Sequence, residues 1–328
     1  MLPRRRRLTP AVADVRRAVR VALEQVSSGV VLVALSGGPD SLALAAATAF
    51  EASRAGLRAG AAIIDHGLQA GSADAAARAS RQAEELGLDP VFVRTVTVGT
   101  AGGPEAAARA ARYAALAEVA AETNATAVLL GHTLDDQAET VLLGLARGSG
   151  ATSVQGMAPV SGLYVRPLLG IRRSTTVQFC VDSGLEPWLD PQNGDPAFAR
   201  VRVRETVLPV LEAELGPGIA EALARTAEQL REDAEALDHF AEEIAEDLAE
   251  HSEAGISLPV AALEANPPAL RQRLIRLAVL SEFHVSLSRS HTLEISRLVT
   301  DWHGQGPLDV PGVRVERRGR LIVFTARD

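Results

Sequence analysis

Six residues, Ser36-Gly37-Gly38-Pro39-Asp40-Ser41, sit between a β-branched run (Val30 to Leu35) and a run of Leu and Ala. That order spells a short buried strand, a glycine turn and the start of an apolar helix. Glycines let backbone N–H groups approach an anion, and the helix that follows points its positive dipole end at the same place. Ser36 and Ser41 add hydroxyl donors, and Asp40 puts a carboxylate where a magnesium ion bridging phosphates would sit. No Lys follows the glycines, so this is not the Walker pattern, and an ordinary capped strand-to-helix turn is the plain alternative.

A second group, Gly131-His132-Thr133-Leu134-Asp135-Asp136-Gln137-Ala138-Glu139-Thr140, places a His and three carboxylates at a strand end. Glu139 follows Asp136 by three and so shares its helix face. Such a set could hold magnesium, attract an amine or position a base; the alternative is a well-capped helix start. Asp65-His66 is a weaker instance of the same kind. Glu105, Arg109 and Arg112 share one helix face, as phosphate ligands or as an exposed ion-pair ladder. Arg200, Arg202 and Arg204 alternate with Val201 and Val203, and as a strand would present three guanidiniums on one side to phosphate or RNA. Arg314, Arg317, Arg318 and Arg320 form a basic patch near the end of the chain, a solvated surface or an RNA contact.

The elements that must position these groups follow from periodicity. A helix is predicted over 10–28 and strands at 30–35, 60–67, 91–98 and 126–130, separated by helices at 41–54, 73–87 and 105–122; another helix follows at 134–145. Strands alternating with helices at this spacing imply a parallel sheet covered on both faces, with ligands beyond the carboxyl ends of the strands. The stretch 148–167 reads as an irregular Gly-rich loop, and 172–183 as a helix. From Gly216 the composition changes: 218–251 predicts one long helix with an acidic face, then helices near 260–282 and 289–300 and short β-like pieces at 308–310, 313–317 and 321–325.

Composition narrows the function classes. With 328 residues the chain is long enough for two domains, and no apolar run approaches the ~20 residues of a membrane span. Met1-Leu2-Pro3-Arg4-Arg5-Arg6-Arg7 leads into amphipathic sequence rather than a signal-peptide core, which points to the cytoplasm. One cysteine, Cys180, excludes an internal disulfide and a cysteine-built metal cage within the chain. The net charge of −8 argues against coating nucleic acid by bulk charge, so local arginine patches must carry any such contact. All 33 basic residues are Arg, whose planar fork suits phosphate.

Taken together, these segments resemble one family. SGGPDS is similar to the pyrophosphate-binding (PP) loop of enzymes that split ATP between its α and β phosphates and adenylate an oxygen. Within that superfamily, IDHGL (64–68), EAAARAARY (105–113), GHTLDDQAETVLLGLARGSG (131–150), Arg166-Pro167-Leu168 and DPQNGDPAFARVRVRETVLP (190–209) resemble the tRNA(Ile)-lysidine synthetases. The resemblance implies an α/β PP-loop nucleotide-binding domain (1–215) of the adenine nucleotide alpha hydrolase-like kind. A long helix and a small, mainly α C-terminal tRNA-binding domain (216–328) would follow. It implies a ligase that joins free L-lysine to the wobble cytidine of tRNA(Ile) with a CAU anticodon, using ATP and Mg2+, through an adenylated cytidine.

By residue, the resemblance assigns ATP binding to Ser36, Gly37, Gly38, Pro39, Asp40, Ser41, Asp65 and His66. Catalysis falls to Asp40, Arg112, His132, Asp136 and Glu139, magnesium to Asp40 and Asp136, and tRNA to Arg200, Arg202, Arg204, Arg314 and Arg318. The division of roles among His132, Asp136 and Glu139 stays open; a homodimer is compatible, and no membrane is involved. Gln69 and Val201 depart from the family pattern, where Arg and Asn are usual. The alternatives are a tRNA thiolase of the same superfamily, poorly provided for by one cysteine, and a non-catalytic tRNA-binding protein with a sensing ATP site.

Overall fold

Thr9 accepts the Val12 amide at the head of α1 (Pro10–Leu23), whose Val12, Val15, Val19 and Leu23 form one buried stripe. The computed structural model describes residues 8–26, 28–67, 71–100, 103–148, 150–190, 194–248, 250–252 and 255–327. The readings made for Met1 to Arg7, for Gln69 and for Pro191 to Asn193 lie outside the described residues.

After α1 come β1 (Val30–Ala34), α2 (Pro39–Ala52), β2 (Arg58–Asp65), α3 (Ser72–Glu85), β3 (Val91–Thr95), α4 (Pro104–Thr123), β4 (Ala125–Leu129) and α5 (Leu134–Arg147). The strands are short and buried on both faces, so they read as apolar runs rather than as alternation. A short α6 (Ala151–Val154), β5 (Val160–Ser161) and β6 (Tyr164–Val165) precede α7 (Arg173–Ser183). The sheet order is β3-β2-β1-β4-β6-β5, all parallel except β5. The chain therefore moves outward from β1 in one direction, then returns to its other side with β4. That reversal at β1 and β4 is a topological switch point, and it opens a crevice beyond the carboxyl ends of those two strands.

Two expectations need correction here. The 148–167 stretch is not simply irregular: β6 extends the sheet through Val128↔Tyr164 and Leu129↔Val165. Strands of two residues carry no readable period. The Arg200–Arg204 stretch is not a strand; α8 (Ala199–Arg202) runs into a π-helical turn (Val203–Val207) and α9 (Leu208–Leu215). Val203 and Leu208 pack with Leu134 and Ala138 of α5, so tertiary burial of the valines overrides the strand-like pattern.

The described residues divide into two units between Gln229 and Leu230, inside α10 (Ile219–Leu248). In the first unit, Ala220, Leu223 and Ala224 of α10 join the cluster around Leu134 and Ala138. In the second, Ala241, Ile244 and Ala245 of the same helix pack into a separate core centred on Ile275, Ile295, Val315 and Phe324. The second unit holds β7 (Glu250–Ser252), β8 (Gly255–Pro259), α11 (Val260–Ala265), α12 (Pro268–Phe283), α13 (Arg289–Thr300), β9 (Leu308–Val310), β10 (Val313–Arg318) and β11 (Leu321–Ala326). Its five strands form an antiparallel sheet ordered β7-β8-β11-β10-β9, of which β7 and β8 were not expected. Buried Arg271 donates to the carbonyls of Leu263 and Asn266, satisfying the orphan oxygens at the end of α11.

Candidate active site

The glycine turn opens directly from β1. Gly37 has φ +83°, a conformation glycine adopts at no cost, and its carbonyl accepts the Trp188 amide at 2.9 Å. The Ser36 amide donates to Ser41 Oγ at 3.2 Å, and Ser41 Oγ donates to the Gly38 carbonyl at 3.0 Å, which folds the turn onto the start of α2. Gly38 caps α2 with no side-chain partner, leaving that helix start available to an anion. A Cβ on Gly131, at the end of β4, would stand 3.1 Å from the Ser41 amide nitrogen. Only glycine lets the second strand end come that close to the first.

Beside the turn, α5 begins with a capping box. The Thr133 amide donates to Asp136 Oδ2 at 2.7 Å, and Thr133 Oγ1 accepts the Asp136 amide. Asp136 Oδ1, Glu139 Oε1 and Asp40 Oδ2 then converge on one guanidinium, that of Arg173, at 2.9, 3.1 and 3.5 Å. Asp135 does different work from its neighbour: Oδ2 accepts the Arg173 amide at 2.7 Å, anchoring the start of α7 so that Arg173 faces the crevice. Sequence reasoning missed Arg173, which lies 37 residues beyond Asp136 and outside every quoted segment.

Glu139 has no exposed surface and also takes Arg204, whose Nε is 2.8 Å from Oε1, and Arg200, whose Nη1 is 3.7 Å from Oε2. Positions four apart in a helix share a face, so Arg200 and Arg204 meet Glu139 together. Arg202 points elsewhere and donates to the carbonyls of Pro196 and Ala197. The three arginines expected on one side are thus split two and one.

Burial raises the Asp40 carboxyl above its ordinary range, more than the Thr176 hydroxyl and Arg173 lower it. Burial acts on Asp136 too, but Arg173 and the Thr133 bonds outweigh it and hold that carboxyl low. His132 is pushed down to about 3 by burial and by Arg112, Arg166 and Arg109, against the pull of Asp136, so its imidazole is neutral near pH 7. Burial and Arg112 lower His66 in the same way.

Seven buried side-chain atoms lack a hydrogen-bond partner among the described residues, and four of them belong to His66, His132, Arg112 and Arg166: Nδ1 of each histidine and Nε of each arginine. His66 and His132 both feel the charge of Arg112. A cationic patch with unanswered polar groups beside a glycine turn is the pattern of an anion site awaiting its ligand. Asp65, by contrast, is occupied by the Gly67 amide at 2.9 Å, shaping the turn after β2. Arg109 lies over the Tyr113 ring at 4.8 Å; the reading made for Glu105 falls on a side chain outside the described residues. In the second unit Arg314 is exposed, and Arg318 donates through Nε to Glu316 at 2.9 Å.

Among the described residues no group of three His, Cys, Asp or Glu side chains forms a metal cage. Asp40 and Asp136 nevertheless converge on one cation, Arg173, and two hard oxygen donors are a usual protein contribution to a magnesium ion that keeps its waters and substrate phosphates. The donor set fits Mg2+.

Comparison with known proteins agrees with this geometry. A PP-loop domain model matches residues 12–211, and a TilS substrate binding domain model matches 258–321. The tRNA(Ile)-lysidine synthase of Leifsonia xyli is 65% identical over 295 residues, 90% of this chain and 89% of that protein. The chain belongs to the tRNA(Ile)-lysidine synthase family. The family's member from Thermobifida fusca is 54% identical over 96% of this chain and 98% of its own length. Among solved structures, a U34-tRNA thiolase from Methanococcus maripaludis aligns with TM-score 0.57 over 68% of this chain and 80% of that one, at 21% identity, a likeness of fold. PP-loop membership makes the chain an ATP-using enzyme. No helix among the described residues is long and apolar enough to cross a membrane.

Proposed function

We propose that the crevice beyond β1 and β4 joins free L-lysine to the wobble cytidine of tRNA(Ile) with a CAU anticodon, in two steps. Family membership makes the chain a ligase that forms lysidine on tRNA(Ile); the division of labour below is our reading of its residues. The observation that carries it is the convergence of Asp40, Asp136 and Glu139 on Arg173, flanked by the Ser36–Ser41 turn and by Arg112 Nε and His132 Nδ1, both buried without a hydrogen-bond partner among the described residues.

In the first step the cytosine 2-oxygen displaces pyrophosphate from the α-phosphorus of ATP. The turn amides and the start of α2 receive the pyrophosphate, and Arg112 faces the charge that develops at the α-phosphate. Asp40 and Asp136 would hold Mg2+, which when bound neutralises charge on the departing phosphates. In the second step the lysine ε-amine attacks C2 of the cytosine and AMP leaves with the 2-oxygen. Asp136 and Glu139, which already hold guanidinium groups, attract the ammonium form. His132, kept neutral, offers the incoming amine an uncharged hydrogen-bond partner, and the proton that the amine sheds passes to solvent.

The thiolase alternative needs an accessible, ionisable sulfur. Cys180 is buried, lies 3.5 Å from the Pro39 carbonyl, and burial pushes its thiol up to about 12. A cytoplasmic location and a homodimer are carried with the proposal as expectations. The test is transfer of radiolabelled lysine to tRNA(Ile) transcripts with ATP and Mg2+. Wild-type protein should label the CAU transcript and leave one with a changed wobble base unlabelled. Asp40→Asn should cut transfer at least about a hundredfold, the scale of losing one charge-stabilising group. Labelling that ignores the wobble base, or an unimpaired Asp40→Asn variant, would overturn the assignment.

A further inference from the structure

A cleft of about 520 Å3 lies between α4 and the β5–β6 turn, on the side of β4 away from β2. One face of α4 forms its floor, with Ala106, Arg109, Ala110 and Tyr113 recurring at helical spacing; Ser161, Tyr164 and Arg166 form the opposite wall. The two alanines keep the floor low, which is why space remains. Tyr113 and Tyr164 meet edge to face, with ring centroids 4.8 Å apart and planes at 70°. The Tyr164 hydroxyl donates to the Tyr113 carbonyl at 3.1 Å, fixing the second ring against the helix.

The cleft's charge is one-sided. Among the described residues Arg109 and Arg166 line it, no carboxylate does, and neither arginine forms an ion pair. Arg166 is only 8% exposed; it spends one nitrogen on the Ala158 carbonyl, and its buried Nε has no partner. Arg112, over the other part of the Tyr113 ring at 5.5 Å, connects this wall to the crevice where His132 feels Arg112, Arg166 and Arg109 together.

We propose that this cleft holds a nucleotide adjacent to the reacting cytidine, its base stacked on Tyr164 and its phosphate on Arg109 and Arg166. The inference rests on the reading of a tRNA anticodon as substrate and adds a subsite to it. Aromatic rings with guanidinium groups beside them are how proteins grip unpaired bases, and stacking tolerates any base because every base has a π face. Holding the neighbour splays the loop and presents the cytidine to the strand ends alone. A preference for peptide is disfavoured, because two arginines with no carboxylate partner among the described residues, held by the Tyr113 hydroxyl and the Ala158 carbonyl beside an aromatic wall, answer a polyanion.

The experiment uses the full chain and tRNA(Ile) transcripts carrying photoreactive 5-iodouridine singly on either side of the wobble cytidine. Irradiation should crosslink one of these positions to the peptide containing Tyr164 or Tyr113, identified by mass spectrometry. Tyr164→Ala should raise KM for tRNA roughly ten- to a hundredfold, with kcat and KM for ATP near wild type. Tyr164→Phe, which keeps the ring but gives up the hydroxyl's bond to the Tyr113 carbonyl, should recover most of that KM loss, and Arg109→Ala, at an exposed site, should lower the slope of log affinity against log salt by about 0.7. A rise in KM for ATP instead would mean the cleft takes adenine and would overturn the proposal, as would crosslinks confined to other peptides. If lysine transfer fails while the crosslink forms, the reaction is misassigned and the cleft stands; if transfer proceeds with neither crosslink nor KM effect, the cleft reading falls.

Discussion

Removing the Arg173 guanidinium would leave Glu139, which has no exposed surface, with Arg204 and Arg200 alone, would leave Asp136 only Arg204 Nη2 at 3.9 Å, and would take from Asp40 the cation paired with it among the described residues. Breaking a buried pair by deleting one partner costs about 3 kcal/mol or more, because the remaining charge is stranded. Arg173→Ala should therefore lose about 3 kcal/mol in urea unfolding as well as activity, and a loss under 1 kcal/mol would show that Arg204 suffices. Lysine at 173 supplies charge without the fork that reaches three carboxylates, so Arg173→Lys should fall between. His132 gives a second residue-scale prediction. Its folded value of about 3 lies below the ~6.5 of an unfolded His, so the unfolded chain takes up the proton first. Its contribution to stability is complete above about pH 6.5 and is lost as pH falls towards 3. His132→Gln should flatten the acid limb of the stability profile. In the wild type the His132 ring resonances should not shift between pH 7 and 5; a transition near 6.5 would contradict the neutral imidazole assigned to the site.

At the scale of elements, the site depends on how closely two strand ends approach. A methyl group at 131 would press on backbone, 3.1 Å from the Ser41 nitrogen and 3.2 Å from the Asp40 carbonyl carbon, and backbone there cannot swing aside as a side chain would. Gly131→Ala should cost about 1–3 kcal/mol and, by tilting the start of α2, weaken binding of a non-hydrolysable ATP analogue measured by calorimetry. Undiminished analogue affinity would mean the turn tolerates the shift. The same elements show what was legible in the sequence. Apolar runs of five residues between helical patterns gave the parallel sheet, and the polar clusters at the ends of β1, β2 and β4 located the crevice. Arg173 was not legible, because its role arises where α7 packs on α2 and α5, and nothing local distinguishes it from Arg172. The RVRVR alternation misled for a related reason: its valines are spaced for a strand, but Val203 and Leu208 are buried on α5, and a helix is what sends Arg200 and Arg204 to one glutamate.

For the whole molecule the question is how a chain of net charge −8 engages a polyanion. The acid is concentrated on the outer face of α10, while the arginines gather at the crevice, along the Tyr113 cleft and on β10. Each phosphate neutralised by an arginine releases condensed counterions, so the number of working contacts can be read from salt dependence. On β10, Arg314 and Arg318 alternate with residues that face the core of the second unit, and both are exposed. Arg314 sits opposite Asp309 and Thr325 and forms no ion pair among the described residues, Asp309 pairing instead with Arg327, whereas Arg318 is paired with Glu316, so RNA must compete with a weak surface ion pair at Arg318. If both touch phosphate, Arg314→Ala with Arg318→Ala should weaken tRNA binding uniformly across anticodon variants and reduce the salt slope by about 0.7–0.9 per contact, with ATP-analogue affinity unchanged. Glu316→Ala should do the reverse, freeing Arg318 and tightening tRNA binding slightly. A double variant with the wild-type slope would place these arginines outside the RNA footprint, and recognition would then fall to the first unit's arginines, where the Arg109→Ala salt titration provides the comparison.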